Sequence, residues 1–426
     1  AFDAITKLKK IALNEEIHEP GETDYFINLK IDRENNILSI EDNGVGLTQE
    51  EIVKYITQIA FSGAEDFIKK YEESGDKSKT GIIGNFGLGF FSTFMVSEKV
   101  EIHSRSYRPE AESAFWSSTG SEEYEIGPGN REKRGTEIKL YLDTDSRDLL
   151  DKGRLSELIR KYCDFMPVTI QVDGTQVNKK EALWARQPSS LKKEDYHEFY
   201  RQLYPFQGDP LFYVHLNVDY PFRLQGILFF PHLEHELDLN RSNVRIYCKQ
   251  VFVTDEAQEL IPRWLTVLQG VIDMPDLPLN VSRSYLQNEP QVKKIAQHII
   301  KKVADSLVLE CKNYRKIWPD IGPFVKYGML NDEKFYEQAE SALIFELADP
   351  TEKEKKFCSL DEYIVENKAK TGDKVYYTTD PAAQTTALKL FHDQGIGVVV
   401  LSALIDSHFL NFLEGKKSDC KFTRID

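Results

Sequence analysis

The sequence runs to 426 residues, 41% hydrophobic and 29% charged, with a formal net charge of -15; that is a globular balance in a chain long enough for roughly three domains. Net acidity argues against a nucleic-acid protein relying on overall charge, and the lack of any run of about 18 apolar residues argues against a membrane-spanning helix. The five cysteines (Cys163, Cys248, Cys311, Cys358 and Cys420) are scattered without C-x-x-C spacing, which argues against a disulfide framework or zinc site and fits a reducing cytoplasm.

The opening "AFDAITKLKKIAL" reads as a helix already under way, with no N-cap before it and no signal peptide. Residues 25–42 then read as a hairpin. "YFINLKID" alternates Ile27, Leu29 and Ile31 on one face, "RENN" supplies turn residues, and "ILSIED" returns. Side chains two apart share a face, so Asp42 points with Leu38 and Ile40 into the expected core while Glu41 points away. "GLTQEEI" starts a helix through a capping box of Thr48 and Glu51. Residues 64–83 are polar with little pattern. "GIIGNFGLGFFSTFMV" is glycine-rich and then helix-like, and "VEIHSRSY" and "GTEIKLYL" read as strands. The helix "RLSELIRKYC" leads to the strand "VTIQV" and a polar connector, "DGTQVNKKE".

Beyond it the strands "LFYVHLNV", "LQGILFFP" and "NVRIYCKQVFV" precede a helix around "AQELIPRWLTVLQG". A Pro-bearing loop, "DMPDLPLNVSRSYLQNEP", follows, and 291–345 is largely helical. The end reads strand "KVYYTT", helix "AAQTTALKLFHDQ", strand "IGVVVL", helix "DSHFLNFLEG", strand "KFTRI", a small α/β unit with parallel pairing.

Asp42 is the residue that asks for an explanation. An unpaired buried carboxylate is costly, yet this one faces inward beside Gly44 and Gly46, which strip side chains from the adjacent backbone. A second glycine set, Gly84, Gly87 and Gly89, precedes another apolar run, and backbone N–H groups at a helix start bind anions. One inward carboxylate and two glycine loops suit a nucleotide: the carboxylate accepts from an exocyclic amine, and the glycines cradle phosphates. The spacing is neither the Rossmann fingerprint nor a Walker A motif. Cys163, in the helical setting "RKYCDF", reads as a packed thiol, and the nine His residues show no metal-binding spacing.

Taken together, "DNGVG", "GNFGLGFFSTFMV" and "RGTEIKLYL" resemble the nucleotide pocket shared by gyrase, heat-shock chaperones, histidine kinases and MutL. "LPLNVSRSYLQ", residues 277–287, with "ALWARQPS" and "YHEFYRQLYP", is similar to the ninety-kilodalton heat-shock chaperone family and its bacterial branch, end to end. The resemblance implies an α/β (α+β) fold. An ATP-binding α/β sandwich at 1–174, with a lid at about 62–86, would be followed by a linker at 175–182. A middle domain at 183–426 would hold two α/β units (183–289 and 349–426) joined by helices at 290–348.

It also implies an ATP-dependent chaperone for partly folded client proteins, using ATP/ADP and Mg2+ and forming a homodimer through a further C-terminal domain, with neither nucleic acid nor membrane as partner. Asp42 would bind the adenine amine, partly through water. Gly46 and Leu47 would line the base pocket, Thr136 would support it and Asn43 would lie beside it. Gly84, Gly87, Leu88, Gly89 and Phe90 would wrap the phosphates, and Asp3, Ala4 and Lys7 would sit on the first pocket helix. Arg283 would reach the γ-phosphate, assisted by Gln287. No metal ligand is expected in this chain, because the family's general-base Glu and Mg2+-ligand Asn precede the position matching Ala1; hydrolysis by residues 1–426 alone is therefore expected to be impaired. Phe61, Asn85 and Ser284 depart from common family residues. The alternative is another ATP-binding enzyme on the same pocket, a histidine kinase or a topoisomerase subunit. A kinase would need a phosphoacceptor His, for which His298 is the only remotely suitable residue.

Overall fold

The computed structural model describes the chain except residues 15–23, 59–81, 85–88, 122, 221, 233–242, 256–259, 266–267, 278–288, 311–313, 350–354 and 418–419. Most of the expected lid, Gly87, Leu88, Arg283 and Gln287 therefore lie outside the described residues. The chain divides into two compact units. One holds Ala1–Arg186 with Ile246–Thr254 and Asp273–Gln287; the other holds Gln187–Arg245, Asp255–Ile272 and Asn288–Asp426.

The first unit is built on an eight-stranded mixed sheet. Its strands are β1 (Phe26–Asp32), β2 (Ile37–Asp42), β3 (Ser97–Arg105), β4 (Ser113–Ser118), β5 (Tyr124–Pro128), β6 (Gly135–Leu142), β7 (Thr169–Val172) and β8 (Thr175–Gln176), in the order β5-β4-β3-β6-β2-β1-β7-β8. Among the described residues β1 and β7 pair in parallel, and every other neighbouring pair of this sheet is antiparallel. The alternation expected for 25–42 holds, with Leu29 opposite Ile40 and Ile27 opposite Asp42. One face of the sheet packs against α1 (Phe2–Asn14), α2 (Gln49–Tyr55) and α3 (Lys152–Cys163), joining Ile5, Ile52, Leu155 and Ile159 to Ile27, Leu38, Ile102 and Leu140. Each such side chain contributes about 1.5–3 kcal/mol on burial. α2 carries the expected capping box: Thr48 Oγ1 accepts from Glu51 N while Glu51 Oε2 accepts from Thr48 N.

Local patterning misleads at two places here. The helix-like "FFSTFM" is only a 3-10 turn, Phe91–Met95. The Ser92 and Thr93 hydroxyls turn back onto the Gly89 and Phe90 carbonyls, competing with helical pairing. "NVRIYCKQVFV", read as one strand, is a hairpin of β11 (Asn243–Cys248) and β12 (Val251–Thr254) that reverses at Lys249 and Gln250, both at positive φ.

In the second unit β9 (Phe212–Val218) and β10 (Leu224–Phe230) form an antiparallel hairpin. The helix expected around 257–270 is absent from its described part. Arg263–Leu265 is a single 3-10 turn, preceded by Pro262, and Gln269–Asp273 is a strand, β13. Pro262 lacks the donor a helix interior needs. Trp264 is buried against Phe335 and Phe324. The helices Glu289–Glu310, Trp318–Asn331 and Glu333–Ala339 fill the expected helical stretch. The C-terminal part is a five-stranded sheet, β15-β14-β17-β16-β18, formed by β14 (Ile344–Leu347), β15 (Lys356–Ser359), β16 (Lys374–Thr378), β17 (Val399–Val400) and β18 (Lys421–Arg424). Its parallel pairs, β16 with β17 and with β18, match the expectation. No described helix is long and apolar enough to cross a membrane.

Candidate functional site

Three neighbouring strands line up the site in one row. Asp42 at the end of β2 sits opposite Thr136 on β6, and Thr136 sits opposite Ser104 on β3. Cross-strand partners share a face, so the three polar side chains stand together on the core side. All are buried: Asp42 is 4% exposed, Thr136 7% and Ser104 0%. Ser104 Oγ lies 2.8 Å from Thr136 Oγ1 and accepts from Leu47 N at 2.8 Å. It thus fixes both the predicted base-side threonine and the backbone of the first glycine loop. Sequence reading missed Ser104 because nothing in "VEIHSRSY" marks one serine; only the β3–β6 register brings it to Thr136.

Asp42 Oδ1 accepts from Gly44 N at 2.9 Å, and Oδ2 lies 3.7 Å from the amino group of Ala1. Burial pushes its pKa up, against the opposing pull of that amino group and the Gly44 N–H. Its neighbour Glu41 is on the opposite face, ion-paired with Lys30 at 2.9 Å and Arg131 at 3.0 Å. Burial raises the Glu41 pKa, but those two cations outweigh it and hold it below the usual range. Two adjacent carboxylates therefore have opposite environments, and of the pair Asp42 is the one without a cationic side chain at salt-bridge distance among the described residues.

The first-loop glycines are required by the protein's own packing. A Cβ on Gly44 would lie 2.5 Å from the Ala4 carbonyl carbon, and Val45 N donates to Ala4 O at 3.1 Å. Gly46 has φ +63°, and a Cβ there would lie 1.8 Å from Arg105 O. Without side chains this loop seats between α1 and the end of β3. Asn43 is spent locally: its Oδ1 accepts from Phe26 N at 3.0 Å and its Nδ2 donates to Asp24 O at 3.0 Å.

Asp3 on α1 is also engaged internally. Its two carboxylate oxygens accept from Ile83 N at 2.8 Å and Gly84 N at 2.7 Å, anchoring the start of the second glycine set. Lys7, one turn on, is half-buried. Gly89 is exposed with open space where a Cβ would stand. Phe90 packs edge-on against Trp116 with centroids 5.7 Å apart. The structure thus brings Asp3, Ala4, Asp42, Asn43, Gly46, Leu47, Gly84 and Thr136 together around α1 and the ends of β2, β3 and β6. Of the thiols, Cys163 is kept unreactive by burial, which pushes its pKa up to about 11. Among the described residues no three His, Cys, Asp or Glu side chains converge on a cation position.

The sequence model described as Hsp90 protein matches residues 168–425, and that described as histidine kinase-, DNA gyrase B-, and HSP90-like ATPase matches residues 22–127. The chain is similar to proteins named Chaperone protein HtpG. It is 44% identical to that of Porphyromonas gingivalis and 42% identical to that of Bacteroides thetaiotaomicron, in each case over 100% of this chain and 64% of the relative. It is 34% identical to that of Buchnera aphidicola, over 97% of this chain and 70% of the relative. The chain thus spans somewhat under two thirds of the length of the first two. With the carboxylate, the glycine loops and the match across residues 168–425 pointing the same way, the chain belongs to the Hsp90 family.

Proposed function

We propose that this chain is the nucleotide-binding and middle part of an ATP-dependent chaperone that binds and remodels partly folded client proteins in the cytoplasm. The observation that carries the reading is the Asp42 carboxylate, buried on the core face beside Thr136 and Ser104 with burial raising its pKa. A folding protein has no use for that cost; an amine-bearing base offsets it. In this reading Asp42 accepts from the adenine amino group, partly through water, while Thr136, steadied by Ser104, and Gly46 bound the base. Backbone N–H groups of Gly87, Leu88, Gly89 and Phe90 hold the phosphates, with Asp3 fixing the approach through Ile83 and Gly84. Residues 62–86 form the lid. Arg283, with Gln287, brings a cation to the γ-phosphate when the lid closes, stabilising charge on the transferring group. Mg2+ neutralises phosphate charge when bound. Among the described residues no three His, Cys, Asp or Glu side chains converge to hold that ion, and the base and metal ligand are assigned to residues before Ala1. The full-length protein dimerises through a further C-terminal domain.

The family match over 168–425 favours the chaperone over a kinase or topoisomerase. His298 is half-buried, its Nε2 is buried without a hydrogen-bond partner among the described residues, and the ring packs on Phe222 at 5.3 Å, which disfavours that nitrogen as a phosphoacceptor. Calorimetry with ADP tests the reading: the parent binds, and Asp42→Asn abolishes binding. Equal affinity in both removes Asp42 from the site. In the full-length protein Arg283→Ala lowers ATP turnover far more than ATP affinity; equal turnover removes Arg283 from the mechanism.

A further inference from the structure

The turn between β11 and β12, which lies within the first unit, is strained. Lys249 has φ 53° and Gln250 has φ 65°, the left-handed region that two-residue hairpins demand and that Asn and Gly normally supply. Neither Lys nor Gln is favoured there, and such strain persists only where surrounding structure holds it.

The holding group is Asp273. It is buried, 3% exposed. Its Oδ2 accepts from Gln250 N at 2.9 Å and from Trp184 Nε1 at 3.2 Å. Trp184 is itself wedged between Phe165 and Tyr247, centroids 4.7 and 5.1 Å away. Met274 N donates to Tyr247 O at 3.0 Å, tying the segment after Asp273 to the same hairpin. The second carboxylate oxygen of Asp273 and the side-chain oxygen of Gln250 are buried without partners among the described residues.

What the turn presents is the Lys249 ammonium, which donates to the carbonyl oxygen of Ile82. Ile82 is fully buried, and the next two amides, Ile83 N and Gly84 N, are those taken by Asp3. Two consecutive peptide groups at the start of the second glycine set are therefore held: the 82–83 group by the cation at its carbonyl and by Asp3 at its N–H, and the 83–84 group by Asp3 at its N–H.

We propose that Lys249, braced by Asp273 at a strained turn, is a positioning residue for the nucleotide site, clamping the Ile82 carbonyl so that Asp3 and Lys249 together hold the backbone of Ile82, Ile83 and Gly84. The proposal rests on the reading of Gly84 as the first residue of the phosphate cradle. Lys249 does not itself touch the nucleotide; it acts through the backbone.

The test uses the full-length protein with Lys249→Met, which keeps the stem and removes the charge, Lys249→Arg, which restores a cation, and Asp273→Asn, which keeps the shape of the brace. Hydrogen exchange at the Ile83 and Gly84 amides, measured without nucleotide, is the first readout. Lys249→Met speeds it about tenfold, the size of one lost charge-assisted hydrogen bond; Asp273→Asn speeds it less, and Lys249→Arg returns it to within about twofold of the parent. The second readout is ATP turnover, where Lys249→Met raises KM with a smaller change in kcat. Unchanged exchange in Lys249→Met overturns the clamp. Altered exchange with unchanged KM overturns its role in nucleotide positioning. A parent that binds no ATP overturns the functional reading instead, and leaves the exchange result to judge the clamp alone.

Discussion

Replacing Asp42 with Asn should trade nucleotide binding for stability, in a way that pH reveals. The substitution keeps an acceptor for Gly44 N, now 2.9 Å from Asp42 Oδ1, and changes the volume little. It removes a buried charge whose desolvation is the largest influence on its pKa. Leaving a polar group desolvated costs roughly 1–3 kcal/mol. Because burial raises the folded pKa, the native state retains a proton that the unfolded chain sheds above its own value near 3.9. Parent stability therefore falls as pH rises from there through the folded value, then stays level. Asn has no such dependence. The variant should match the parent well below pH 3.9, within about 0.5 kcal/mol, and exceed it by roughly 1–2 kcal/mol at pH 8. Urea midpoints read from hydrogen exchange at the β2 and β6 amides isolate the first unit. A difference that does not vary with pH, or a variant less stable than the parent at pH 8, would refute the claim that the carboxylate is held against its solvation.

Gly46→Ala should destabilise the first unit by at least about 2 kcal/mol, since a side chain at φ +63° adds left-handed strain to a clash with Arg105 O; a thermal melt showing no loss would contradict the close approach. In the second unit, Lys326 Nζ meets Asp406 Oδ1 at 2.5 Å with both residues buried. Lys326→Met alone should cost about 3–5 kcal/mol by stranding the carboxylate, while Lys326→Met with Asp406→Leu should recover most of that. Chemical denaturation of the four members of this cycle decides it, and a single variant as stable as the double would show that the pair is not desolvated.

How far the sequence reaches depends on the range of the interactions. The β1–β2 hairpin, the Thr48–Glu51 capping box and the inward turn of Asp42 were legible because each follows from spacing within about a dozen residues. Strands β4 and β5 carried too little alternation to be seen, since β4 is buried at five of its six positions and β5 is mostly exposed. The long reading of "NVRIYCKQVFV" as one strand failed because the turn at Lys249 and Gln250 is imposed by Asp273, 23 residues from Gln250, not by Asn or Gly in the turn itself.

That a carboxylate faces inward between two glycine loops was readable from the residues in order, because alternation along one strand and glycine's missing side chain are properties of the chain alone. What those residues touch emerged only on folding: Gly44 and Gly46 make room for α1 and β3, Asp3 anchors Ile83 and Gly84 some 80 residues away, and Ser104 steadies Thr136 from a neighbouring strand. Those partners are chosen by sheet register and by packing across the core, where free energy is set by which surfaces meet rather than by which residues are adjacent.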